Sequence, residues 1–215
     1  MQRRRLSAGL LLWGLSPVVF AGSYEDFFEA IDRDDVQGLM ALLRRGFDPN
    51  TLSEKLQHPL HLCVEAGANQ ALAVLSQAKG IRLNFTNDND ETAMMLAALR
   101  DKPTMVKLLI AAGAEVNKPG WTALHYACTA GNPETVAMLL DAHAYIDAES
   151  PNGTTPLMMA ARYSNERVVN LLLEEGADPT LKNQQDLTAL DFALSVDRQD
   201  SASLIRAQLA KWGKK

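Results

Sequence analysis

Cysteine is scarce in this chain, with only Cys63 and Cys128 in 215 residues. That excludes a disulfide-dense mini-protein. Aromatic residues are few, at 6%. The surplus lies in Ala and Leu, a balance that packs helices rather than sheets. Basic residues are in deficit, 21 Lys plus Arg against 26 Asp plus Glu, for a formal charge of −5. A general nucleic-acid binder needs a basic face to neutralise phosphates, so no nucleic-acid partner is expected. No Gly-rich phosphate loop, nucleophile elbow or H-E-x-x-H occurs, so neither an enzyme nor a cofactor is expected.

What is present begins with an address. Arg3-Arg4-Arg5 precedes an uncharged apolar run, Leu6 to Phe20, and Val19-Phe20-Ala21 supplies the small residues of a cleavage site. This pattern predicts a signal peptide over residues 1–21, cut between Ala21 and Gly22. The alternative is a retained anchor, but the run falls short of the roughly 20 residues a bilayer needs. Once it is cut, no membrane association is expected. Arg3-Arg4-Arg5-Leu6 partly matches a twin-arginine signal, which leaves the export route open. Losing three of the 21 basic residues and no acid leaves 18 against 26, a net charge of −8. A periplasmic or secreted acidic protein is expected.

A fixed period organises the rest. Trp121-Thr122-Ala123-Leu124-His125-Tyr126-Ala127-Cys128, Thr154-Thr155-Pro156-Leu157-Met158-Met159-Ala160-Ala161 and Leu187-Thr188-Ala189-Leu190-Asp191-Phe192-Ala193-Leu194 align, with their threonines 33 residues apart. Segments beginning at His58 and Thr92 read the same way. Val168-Val169-Asn170-Leu171-Leu172-Leu173 carries the apolar stripe of a helix buried on one side, and two further segments repeat it. Gly113 and Gly176 end such helices, and the threonines stand where helices begin. Pro156 follows at a first helical position, where its missing N–H costs nothing.

The pattern T-P-L-H-x-A-A, a helix ending in Leu-Leu, then G-A-D-x-N, resembles the ankyrin repeat. The resemblance spans residues 22–215 as one domain of six units, starting near Glu25, His58, Thr92, Thr122, Thr155 and Thr188, the first and last being caps. It implies an all-α solenoid of stacked helix-turn-helix units joined by hairpin fingers. Two departures stand out. The step from Thr92 to Thr122 is 30 residues, so the finger near Asn117 to Gly120 should be stunted and Trp121 left beside a gap. Asp101 and His143 occupy slots where the family has Gly, with strain or a shifted helix end expected.

Several clusters invite chemistry and are read structurally. His61 and His125 fill the His slot of the repeat. His58-x-x-His61-x-Cys63 has the look of a metal cluster, but no fourth ligand lies in reach and no metal is expected. Cys63 and Cys128 sit two units apart, beyond the roughly 7 Å that a disulfide spans. They are expected as buried small hydrophobes, and a Cys128–His125 nucleophile lacks an orienting group. Met94-Met95 and Met158-Met159 are core filler rather than copper ligands. Asn87-Asp88-Asn89-Asp90-Glu91 lacks the Gly and distant Glu of a calcium loop, and reads as a fingertip.

The resemblance implies a non-catalytic scaffold that binds a protein partner through its concave face of inner helices and fingertips. Carried over position by position, that face includes Glu65, Leu99, Arg100, Thr129, Arg162 and Tyr163 on helices. Asp88, Asn89, Lys118, Trp121 and Asn152 lie on fingers. Trp121, Tyr163, Arg100 and Arg162 are the expected anchors, since interface energy concentrates on aromatics and Arg. Trp121 could equally serve to pack a neighbouring finger. A monomer is expected. A narrower version of the function is an accessory or immunity protein for one exported enzyme or toxin. A secreted effector and a periplasmic metal-binding protein are the remaining alternatives.

Overall fold

Twelve helices and no strand occur in the computed structural model, which describes residues 18–212. They come in six pairs: α1 (Val18–Asp32) with α2 (Val36–Arg44), α3 (Pro59–Ala66) with α4 (Asn69–Ser76), α5 (Ala93–Leu99) with α6 (Pro103–Ala111). The remaining pairs are α7 (Ala123–Ala130) with α8 (Pro133–Asp141), α9 (Pro156–Tyr163) with α10 (Glu166–Glu174), and α11 (Ala189–Leu194) with α12 (Gln199–Trp212). The odd-numbered helices pack on one another in one layer and the even-numbered in a second. No unit could bury its apolar stripe alone, so stacking supplies the partner surface. Residues 1–17 of the expected leader lie outside the described residues, as does the tail 213–215, whereas the expected cut falls within α1. α1 begins at Val18, upstream of both Glu25 and Ala21–Gly22, because the apolar run gives it no stop signal.

The helices start where the capping chemistry is. Thr92, Thr155 and Thr188 accept N–H bonds from Met95, Met158 and Asp191, the third residue of each helix. Pro156 opens α9, and His58 caps α3 with its ring, Nδ1 accepting from the Leu60 amide. The slot three residues after each cap returns the favour. Met95 and Met158 present sulfur to the amides of Thr92 and Thr155, His125 its Nδ1 to Thr122, and Asp191 a carboxylate to Thr188. The methionine pairs are therefore core and cap, with Met94, Met95 and Met158 buried.

Small residues explain the composition. Ala97, Ala127, Ala160 and Ala193 recur at one slot of the inner helices, all fully buried, and let those helices approach closely. Cys63 holds the same slot in α3. Both cysteines are free and buried, and burial pushes their thiols well above the usual range.

A ladder of side chains joins successive units. Asn50 receives the Arg82 amide at 2.8 Å, Asn84 that of Glu115 at 2.8 Å, Asn117 that of Tyr145 at 2.8 Å, and Asp147 that of Asp178 at 3.1 Å. Each rung satisfies a loop amide that has no helical partner. Asp101 and His143 take left-handed backbone, φ 52° and 64°, as their Gly slots demand. There the Asp101 carboxylate receives the side-chain amide of Asn132, the cap of α8.

Fingers close by a bond from the first amide to the carbonyl four residues on, at 53–57, 87–91, 150–154 and 183–187. No such bond closes 117–121 among the described residues, and that finger is stunted. Lys118 instead reaches back to Asp90 at 2.6 Å. The tip slot has positive φ in every unit from the second on: Leu56, Asp90, Gly120, Gly153 and Asp186. Leu56 is the misfit, a branched apolar residue at φ 59° that is 74% exposed. Left-handed backbone costs such a residue about 1–2 kcal/mol. Leu56→Gly is expected to raise stability by about 1 kcal/mol, read from chemical denaturation midpoints.

Candidate functional site: a groove along the inner helices

The inner helices and fingers enclose a row of concavities. The largest, about 650 Å³, lies between α1 and α3, floored by Tyr24, Phe28, Ile31 and Leu62. Next is one of about 130 Å³ beneath Leu56, reaching His58, His61, Phe85 and Leu96. A third of about 220 Å³ is walled by Leu99, Trp121, Tyr126 and Met159, beside the stunted finger. The last, about 360 Å³, lies between Trp121 and Phe192 and includes Asn152, Arg162 and Tyr163.

One apolar position per unit forms the floor: Leu62, Leu96, Tyr126, Met159 and Phe192, each the residue after the His slot. The expected contact residues omit all five. Their signal was available in the repeat spacing, but an apolar residue on a helix is first assigned to the core. Tyr126 also donates its hydroxyl to Glu91 at 2.8 Å. Glu91 further receives the Asn87 side-chain amide at 2.8 Å, so it ties a finger to the groove floor.

The expected anchors fall into two sets. Trp121, Arg162, Tyr163 and Leu99 come together along the third and fourth concavities, with Thr129 and Asn152 at their edges. Trp121 is half-buried, its ring edge-on to His125 at 5.2 Å, so it packs on α7 and also separates two concavities. Tyr163 is 49% exposed, and the Arg162 guanidinium lies 5.5 Å from its ring centre while donating to Ser195 at 3.2 Å. Arg100, Glu65, Asp88 and Asn89 stand apart, exposed toward the N-terminal half. Glu65 accepts from Gln57 at 3.0 Å and faces Arg100 at 3.9 Å. Lys118 is only 17% exposed in its side chain and is held by Asp90, an internal brace more than a free contact.

Arg198 has no sequence signal at all. Its guanidinium donates to the carbonyls of Arg162 at 2.9 Å, Ser164 at 2.6 Å and Tyr163 at 3.2 Å. Where α3 and α7 end on left-handed Gly67 and Gly131, α9 ends on extended Ser164. An arginine from the next unit thus takes up carbonyls that a glycine turn would otherwise satisfy. It also fixes the backbone that carries Arg162 and Tyr163.

The histidines are bound into this frame. His125 makes both ring bonds, Nδ1 to Thr122 and Nε2 to the Thr154 carbonyl at 2.9 Å, which leaves no nitrogen for Cys128. His58 stacks on Phe85 at 4.6 Å and meets Asn50 through Nε2 at 3.3 Å. His61 bonds the Glu91 carbonyl through Nε2 at 2.9 Å. Cys63 is fully buried, so His58, His61 and Cys63 do not converge as ligands, and no group of three metal-binding residues occurs among the described residues.

Comparison with known proteins follows the same architecture. A family model described as "Ankyrin repeats (3 copies)" matches residues 27–120, 60–150, 105–183 and 143–210. The chain is 35% identical over 155 residues to the nuclear factor NF-kappa-B p105 subunit of Mus musculus, covering 69% of this chain and 16% of that protein. It thus spans a small part of that relative's length. Among solved structures, a chain from the complex of a predatory endopeptidase of Bdellovibrio bacteriovorus with an immunity protein superposes with a TM-score of 0.72 at 27% identity, covering 85% of this chain and 97% of that one. An ankyrin repeat domain from Acinetobacter baumannii gives 0.75 at 24% identity, covering 85% and 96%, a likeness of fold alone.

Proposed function

Because this chain belongs to the ankyrin-repeat family, we propose that it is a non-catalytic scaffold of the periplasm or another exported space, holding a protein partner in its concave groove. The observation that carries the proposal is the row of apolar residues Leu62, Leu96, Tyr126, Met159 and Phe192, one per unit, lining the successive concavities. Single apolar residues on a surface need no explanation, whereas an aligned row of them in a groove marks an interaction site. Trp121 and Tyr163 serve as aromatic anchors, with Arg162 held ready beside them.

A narrower reading is that the partner is one exported enzyme or toxin and this chain its accessory or immunity protein. The likeness to the complex of an endopeptidase with an immunity protein supports it, since that chain is matched over 97% of its length. The basic, apolar leader supports the exported location.

The test is a pull-down from the exported fraction with wild type and a Trp121→Ala/Tyr163→Ala double variant. Wild type should retain a single partner that the variant loses, each anchor being worth about 2 kcal/mol. A partner held equally by both would move the contact surface elsewhere. No partner at all would refute the scaffold.

A further inference from the structure

Charge divides the groove into two halves. Around the first cavity stand Glu25, Asp32, Glu54 and Glu65 against one cation, Lys55. The adjoining small cavity shares Lys55 and Glu65 and adds Asp88 at its mouth. Arg100, 3.9 Å from Glu65, and Arg82, 4.9 Å from the Phe85 ring centre, stand at the edge of this acidic half, and the concavities beyond it carry only Arg162 and Asp191, one charge of each sign. The acidic half therefore complements a basic surface, not a second copy of this acidic chain.

Two further features lie in the same place. In the four units that follow, the residue in the His slot bonds the amide of its own helix cap. In the second, His58 replaces the threonine, and the Nδ1 of His61 has no partner although the residue is 97% shielded, at 3% exposure. Its Nε2 donates to the Glu91 carbonyl, so Nδ1 keeps an unpaired lone pair buried behind the wall of the small cavity that His61 helps to line. Above it sits Leu56, in a backbone conformation that costs stability and with nothing in the fold to repay it. Strain kept at an exposed apolar fingertip points to a contact outside the chain.

Resting on the scaffold proposed above, we infer that this acidic half docks a basic, apolar-flanked segment of the protein partner. A Lys or Arg side chain enters beneath Leu56 and is neutralised by Glu65 and Asp88. A neighbouring apolar side chain of the segment lies on Phe28 and Leu62 in the larger cavity.

Fluorescence anisotropy on the purified chain tests this with a labelled peptide of alternating Lys and Leu and a second with Glu in place of Lys. The Lys peptide should bind saturably and the Glu peptide at least about tenfold more weakly, with salt narrowing the gap. Glu54→Lys/Glu65→Lys should cost the Lys peptide about tenfold or more. Leu56→Gly should weaken binding about threefold while raising thermal stability, a split that a purely structural Leu56 would not give. Tyr145→Ala, outside both cavities, should bind as wild type. Equal binding of the two peptides, or indifference to Glu54→Lys/Glu65→Lys, overturns the inference. So does a captured partner that Trp121→Ala/Tyr163→Ala releases but Glu54→Lys/Glu65→Lys holds at full strength, an outcome that leaves the scaffold standing.

Discussion

Lowering the pH from 7.5 to 5 should remove about 2 kcal/mol of stability for each of two buried histidines, about 4 kcal/mol together. His125 is fully shielded and His58 is 1% exposed. Burial lowers each to about 4, reinforced at His58 by repulsion from His61 and Arg82. In the unfolded chain both titrate near 6.5. Below that pH the unfolded state takes up protons that the folded state refuses until about 4, so the balance shifts toward unfolding. The loss should begin near pH 6.5, steepen toward 5 and level off near 4. His61, lowered chiefly by burial, adds in the same direction. Urea titrations across this range provide the measurement. A His125→Gln variant should be less stable at pH 7.5 yet lose about 2 kcal/mol less than wild type on acidification. An unchanged pH dependence in that variant would show that His125 is not held neutral in the fold.

The second large effect concerns Arg198. Arg198→Ala should cost about 2–4 kcal/mol, because bonds from a charged donor are worth about 1.5–3 kcal/mol and three carbonyls at the end of α9 lose theirs together. Arg198→Lys should recover only part, since an ammonium lacks the planar fork that serves all three. A solenoid unfolds by nearest-neighbour interfaces, so the damage should be local. Hydrogen exchange should quicken in α11 and α12 while α3 to α8 keep their protection, and denaturation should separate into two steps. Uniform loss of protection would show that Arg198 supports the whole array and not its last interface. Because the same carbonyls belong to Arg162 and Tyr163, the variant should also weaken capture of the partner without touching it.

The repeat frame was legible because its signals are local and recur. A threonine cap, a proline after it, an apolar stripe and a glycine at the end each act within a few residues, and their recurrence multiplies a weak clue. The shortened step before Trp121 was legible for the same reason, and it correctly located the finger that fails to close. Lys118 shows where such reasoning stops. Its slot is a fingertip, yet the missing residues let it fold back onto Asp90, a partner 28 positions earlier. The floor residues Leu62, Leu96, Tyr126, Met159 and Phe192 were visible as a row but not as a surface, since apolar character alone does not say which side of a helix meets solvent.

By itself the sequence determined the class of fold, the number of units, their caps and the acidic character of the chain, all of which follow from backbone preferences and composition. Tertiary structure decided what the groove offers. It paired Arg198 with carbonyls three dozen residues away, linked units through Asn50, Asn84, Asn117 and Asp147, gathered the carboxylates at one end and left His61 Nδ1 without a donor. These depend on distances between side chains in neighbouring units, set by how the helices stack, and no local pattern encodes such distances.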